Sequence, residues 1–424
     1  MWNKLKNNRF LQYLLPLFLG NSAGQVILVL STPIITRIYS PESYGLLTLY
    51  YAILSVLSIA ANARYEQAIM LPEDTDDAKS LLFLSVSISL GLSVFVGLAI
   101  LIMGSFLYQD DDLKFLYFLV PGVFLTGLFQ ALTVWNNRLS KFRTIANANV
   151  IQTGTTAASQ VLFGVFHIQI FGLLVGAILG LLAGTLIYTK EKLFSFFTLV
   201  KVISFSKVVL NAKKYREFPT YSMFGALAIN IALQSPVFIV GIFFEPALTG
   251  QYGLAARIVL IPLVLLSTAV FQVIYKEISI LAIDNFSEIR PYVINKLILL
   301  ALIGLPALIV LNVWSETLFV IVFGPEWGVA GKFAKYLSWA AFFKFSITPL
   351  MAVFNLRGLV KVGSYWQILY VCTLTLTLTL LWQYQSDTTA EIFVQIFVLH
   401  EIVLSLICFG FILYVTSANK NESV

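Results

Sequence analysis

The chain has 424 residues, of which 59% are hydrophobic, 14% aromatic and only 11% charged; a soluble domain carries about 25% charged residues. With a mean hydropathy of +0.88 there are too few polar groups to cover a soluble fold, which excludes a cytosolic globular protein. The net charge of +6 comes from Lys and Arg set between apolar stretches, a sign of membrane topology rather than of nucleic-acid binding.

From the N-terminus, the basic segment Met1–Arg9 leads into an apolar run that is too long for a signal peptide and lacks an A-x-A site. It reads as a first span that stays in the chain. At about 20 residues per crossing, twelve spans are predicted. The first six are Phe10–Ile38, Tyr44–Ala63, Ser80–Leu107, Phe115–Val134, Ala146–Phe166 and Ile170–Tyr188. The second six are Pro219–Phe244, Gly253–Tyr275, Val293–Val313, Phe333–Phe354, Gly363–Trp382 and Ile392–Val415. The fold class expected is all-α: a polytopic membrane protein of about twelve helices in two six-helix lobes around a central cavity. The segments between the spans leave no room for a soluble catalytic domain.

Lys and Arg set the orientation. With the N-terminus inside, 21 of the 27 fall in cytoplasmic segments or at the inner ends of spans, and 4 fall outside or at outer ends, namely Arg37, Lys114, Lys332 and Lys335; Arg257 and Lys344 fall deeper within spans. Both termini are therefore expected in the cytoplasm. Between spans six and seven, Ser204, Lys207, Asn211 and Lys214 share one helical face, opposite Val202, Phe205, Val208 and Val209. This reads as an amphipathic helix on the anionic inner leaflet, or else as a plain linker. The domains expected are an N-terminal lobe over 1–188, a cytoplasmic linker over 189–218 and a C-terminal lobe over 219–424.

Polar residues within spans are the candidates for function. Asn21 and Gln25 in span one, and Asn230 and Gln234 in span seven, are each spaced i, i+4 and stack on one helical face. Such pairs line a polar path or tie helices together. Arg257 lies about one turn inside the outer end of span eight, where it binds a ligand or snorkels outward. Arg64 and Arg37 sit nearer span ends, where anchoring and ligand binding are both open. Lys344 and Glu401 lie at matched depth in spans ten and twelve, as a structural pair or an ion-coupling site.

Other signals are weaker. The run Glu73-Asp-Thr-Asp-Asp77 echoes the diphosphate–Mg²⁺ motif of membrane prenyltransferases, but the other large inner loop is basic. It reads as a solvated start to span three, favoured by the helix dipole. Asp110-Asp-Asp112 reads as a polar turn. Cys372 and Cys408 sit within spans, and His167 and His400 are the only histidines, so neither a metal site nor a cofactor is expected.

Two stretches repeat. Ser31-Thr-Pro33 precedes Tyr44-Gly45, as Gln234-Ser-Pro236 precedes Tyr252-Gly253. Val134-Trp-Asn-Asn-Arg138 is matched by Val353-Phe-Asn-Leu-Arg357. Such repeats suit a transporter built from two halves of shared orientation.

The segments Arg64-Tyr-Glu-Gln-Ala-Ile-Met-Leu-Pro72, Tyr215-Arg-Glu-Phe-Pro-Thr-Tyr221, Gly250-Gln-Tyr-Gly-Leu-Ala-Ala-Arg257, Phe171-Gly-Leu-Leu-Val-Gly176 and Phe323-Gly-Pro-Glu-Trp327 carry a resemblance. The chain resembles the polysaccharide and O-antigen (Wzx-type) flippase branch of the multidrug/oligosaccharidyl-lipid/polysaccharide (MOP) exporter superfamily. That implies a bacterial inner-membrane transporter, not an enzyme. It would move an undecaprenyl-pyrophosphate-linked oligosaccharide, an O-antigen or other surface-polysaccharide unit, to the periplasmic leaflet by alternating access.

A pyrophosphate and sugar hydroxyls need a polar, cationic path, so substrate contacts are expected at Asn21, Gln25, Arg64, Asn230, Gln234 and Arg257. The partners expected are the lipid-linked oligosaccharide, membrane lipids, a polysaccharide polymerase and glycosyltransferases, with no nucleic acid and a monomeric state. A drug or small-molecule exporter of the same superfamily shares the architecture. A membrane polymerase or glycosyltransferase would want a large outer loop, which is missing.

Overall fold

The computed structural model describes residues 9–107, 111–189, 204–356, 359–383 and 388–418. Among them every regular element is a helix, as a chain that crosses lipid in single segments requires. Two compact units are formed, Met1–Gln234 and Ser235–Val424.

The first unit contains α1 (Arg9–Ile38), α2 (Pro41–Ala61), the single turn α3 (Tyr65–Ala68) and α4 (Thr75–Leu107). A 3₁₀ stretch, Asp111–Phe118, leads into α5 (Leu119–Arg138), followed by α6 (Phe142–Val165), α7 (Gln169–Thr189) and α8 (Phe205–Lys214). A π-helical turn, Phe218–Ser222, opens α9 (Met223–Phe243), along which the boundary between units falls. The second unit contains α10 (Pro246–Asp284), α11 (Ile289–Phe323), α12 (Gly328–Ile347), α13 (Val360–Gln383) and α14 (Ala390–Ala418).

Ten described helices are long and apolar enough to cross a membrane. The remaining two predicted spans are also helices. The apolar part of α1 among the described residues is Ala23–Ile38. Helix α6 carries Asn147, Asn149, Gln152, Thr153, Thr156 and Gln160, and packs between α1 and α7. The chain is a multi-pass membrane protein.

Close backbone approach builds the first unit. On α7, Gly172, Gly176, Gly180 and Gly184 recur every four residues and so form one stripe. A Cβ added at Gly180 would lie 1.8 Å from Thr156 Oγ1 and 2.6 Å from the Gln152 carbonyl, both on α6. Where lipid supplies no hydrophobic drive between helices, small residues let backbones pack closely instead. A second stripe, Ser85, Ser89 and Ser93 on α4, is buried. The Ser93 hydroxyl donates to the Val120 carbonyl of α5 at 2.7 Å. Helix α2 starts where Ser40 caps the Ser43 amide and Pro41 occupies the first turn.

The second unit closes over an apolar core of Ile274, Ile278, Ile289, Val293, Leu350, Val353, Trp366, Leu404, Cys408 and Ile412. Two expectations are refined and one is corrected. Span ten is not one α-helix: α12 ends at Ile347, and Thr348–Asn355 continues as 3₁₀. Pro349, in the first turn of that stretch, has no N–H with which to continue the α-helical ladder. Spans eight and nine are extended, to 39 residues in α10 and 35 in α11. At about 1.5 Å per residue they exceed the roughly 30 Å hydrocarbon core. In α8, Asn211 is not on an exposed polar face. It is buried with Val208, and it donates to Asp77 Oδ1 at 3.1 Å and Ser80 Oγ at 2.7 Å. Val202 lies outside the described residues.

Candidate functional site

In the first unit a polar corner forms where α2 stops. Ala63 and Arg64 both adopt left-handed backbone conformations, with φ of 48° and 63°. For non-glycine residues that costs of order 1 kcal/mol or more each, and such strain collects at functional positions. The turn throws Arg64 back toward Glu66, with Nη1 4.0 Å from Glu66 Oε1. With the Gln67 amide oxygen turned toward the guanidinium, it accepts from Arg64 Nη2 at 2.7 Å. Asn62, also buried, donates to the Gly127 carbonyl at 2.9 Å. Three buried polar atoms here have no hydrogen-bond partner: Asn62 Oδ1, Arg64 Nε and Glu66 Oε2. Burial pushes the Glu66 carboxyl above its ordinary 4.5, against the opposing pull of a backbone amide and Arg64.

The Asn230 and Gln234 pair meets α2. The Ser55 hydroxyl lies 3.2 Å from Asn230 Oδ1, and Gln234 Nε2 donates to Ser55 Oγ at 2.7 Å. One serine thus takes both amides of the i, i+4 pair, in the manner of interhelical hydrogen bonding. Gln25 is half-buried on α1, and its Oε1 has no partner. Asn21 lies on α1, and its side chain is outside the described set. Arg257 is half-buried on α10.

In the second unit the structure brings Lys344 of α12 against Glu401 of α14. Lys344 Nζ contacts Glu401 Oε2, and the carboxylate side chain is only 1% exposed. The Tyr370 hydroxyl of α13 donates to Glu401 Oε1 at 2.9 Å. His400 Nδ1 lies 3.5 Å from the same oxygen. Matched depth in the sequence located the ionic pair. Tyr370 and Glu66 were missed; the only signals for them were a tyrosine in an apolar span and a carboxylate two residues after Arg64.

Three aspartates of the acidic run before and at the start of α4 are met by neighbouring side chains. Asp76 accepts from Lys79 at 2.7 Å, Asp77 from Asn211, and Lys207 lies 3.8 Å from Asp74. Arg138 donates to the carbonyls of Ile69 at 3.0 Å and Pro72 at 2.6 Å. Among the described residues no three His, Cys, Asp or Glu side chains are placed to hold a metal. Gln251 joins two of the resemblance segments: it donates to the Glu326 carbonyl at 2.7 Å and accepts from the Ala330 amide at 2.8 Å.

A polytopic helical bundle in two units, with polar centres built from side chains within it, is the fold of a membrane transporter. The chain superposes on the lipid II flippase MurJ in an inward closed conformation with a TM-score of 0.66 at 14% identity, covering 95% of this chain and 87% of that one. An inward-facing MATE multidrug resistance transporter of the MOP superfamily gives 0.63 at 13% identity, over 94% and 96%. The Polysacc_synt_3 family model, described as "Polysaccharide biosynthesis protein", matches residues 34–331, and the chain belongs to that family. The teichuronic acid biosynthesis protein TuaB of Bacillus subtilis (strain 168) is 23% identical over 264 residues. That match covers 61% of this chain and 53% of the relative, so it spans about half the relative's length. The resemblance is borne out at the level of a polysaccharide-biosynthesis family and a transporter-like fold.

Proposed function

We propose that the chain flips a lipid-linked oligosaccharide, a repeat unit of a surface polysaccharide on an undecaprenyl-pyrophosphate carrier, from the cytoplasmic to the periplasmic leaflet. The observation that carries this reading is the pairing of polysaccharide-biosynthesis family membership with a transporter fold shared with a lipid II flippase. The O-antigen is one member of the substrate class, and the name of the Bacillus relative adds teichuronic acid as another. Arg64 is the anion contact we assign first. Asn21, Gln25, Asn230, Gln234 and Arg257 form the rest of the polar path. In this reading the lobes span 1–188 and 219–424 with a cytoplasmic linker between. Both termini are cytoplasmic, in segments outside the described residues, and a monomer suffices in the inner membrane.

The test is a gene deletion in the native bacterium. Loss of surface polysaccharide with build-up of carrier-linked oligosaccharide on the inner leaflet is expected, reversed by the wild-type gene. The MATE-like fold makes drug export the competing reading. Normal polysaccharide with heightened sensitivity to cationic drugs would replace the flippase with that exporter.

A further inference from the structure

A carboxylate buried among apolar helices has to be neutralised, either by a proton or by a cation held against it. Glu401 is closed in from three helices. Lys344 of α12 sits on Oε2, and Tyr370 of α13 donates to Oε1. On α14 itself, His400 lies beside Oε1, with its Nε2 3.3 Å from Thr373 Oγ1. The two members of the pair differ in access: the Lys344 side chain is 30% exposed and that of Glu401 1%. Lysine therefore stands between the carboxylate and the outside of the unit, as a plug does.

We propose that the Glu401 pocket is a monovalent-cation site whose occupant is the protein's own Lys344 ammonium. The carboxylate then needs no free sodium or potassium, because its cation is tethered four carbons from the backbone of α12. Removing the lysine side chain should convert the pocket into a site for an external cation, best fitted by a primary alkylammonium of the same length. This inference stands apart from the identity of the transported substrate.

Thermal unfolding of the purified full-length protein in lipid nanodiscs tests it, at equal ionic strength in sodium, potassium or N-methylglucamine chloride. The wild type should unfold at the same temperature in all three. Lys344→Ala should fall by about 10 °C and the milder Lys344→Gln by less. Sodium should restore most of that loss saturably in both variants, n-propylammonium in Lys344→Ala alone, where the side chain beyond Cβ is gone, and tetramethylammonium in neither. Adding Glu401→Gln should abolish the cation response.

Two results overturn the proposal. One is saturable sodium stabilisation of the wild type that Glu401→Gln removes, because the pocket would then take a free cation beside the lysine. The other is a pair of Lys344 variants whose stability no cation changes. Should Lys344→Ala fail to accumulate, Lys344→Gln and the wild-type salt comparison decide between these outcomes.

Discussion

Glu66 is 7% exposed and carries one carboxylate oxygen without a hydrogen-bond partner. Its pKa in the fold lies above the ordinary 4.5, chiefly because burial disfavours the charged form. The folded state therefore keeps this proton to a higher pH than the unfolded chain does. Stability from the group is fullest at low pH and is lost as pH rises through 4.5 toward the raised value. Glu66→Gln should match or exceed the wild type in melting temperature at pH 8, with the advantage shrinking toward pH 5. A difference that does not vary with pH would remove the argument. Arg64 next door is predicted to matter for transport: Arg64→Ala should lose polysaccharide export at normal protein level, and Arg64→Lys should recover part of it. Full export by the alanine variant would leave Arg64 as a structural cap. The sequence showed Arg64, Lys344 and Glu401 because charge in an apolar context is conspicuous. It hid Glu66, because its helical turn is held by Tyr65, Ala68 and Ile69 packed on residues of α4 and α5, which lie elsewhere in the chain.

At the scale of elements, the glycine stripe of α7 makes the sharpest prediction. Gly180→Val places atoms where Thr156 Oγ1 and the Gln152 carbonyl already stand. Overpacking of this kind costs typically 1–3 kcal/mol or more, so a lower melting temperature and reduced abundance are expected. Gly154→Ala on α6 is the control: nothing lies within 4 Å of the added Cβ, and the better helix former should leave stability level or slightly higher. Equal loss in both variants would refute the stripe as a packing device. Helix existence was legible from hydropathy, while the partner of each face was not. For α8 the periodicity gave a plausible polar face through Asn211, yet the structure buries that side chain on the acidic start of α4. An amide looks solvated until a neighbour with matching donors and acceptors is known. Phe205 and Leu210 stay exposed on the same helix, which keeps contact with a lipid surface as a proposal.

For the whole molecule, composition alone forced helices in lipid, and all twelve predicted spans are found as helices among the described residues. What composition could not set was length: α10 and α11 outrun a bilayer because helix continues wherever the local sequence permits, in lipid or beyond it. The orientation proposal rests on the distribution of Lys and Arg. Reporter fusions after Lys214 and after Val415 should both read cytoplasm, and one after Asp112 periplasm; a periplasmic reading after Val415 would break the two-lobe count. The core of the second unit gives the molecule an intrinsic reporter as well. Cys408 is buried in that core, whereas Cys372 is exposed. After Cys372→Ser, a thiol-reactive fluorogenic dye would stay dark on the folded protein and light up only as this unit opens. The melting curves proposed above can thus be read from a native atom, with no engineered label.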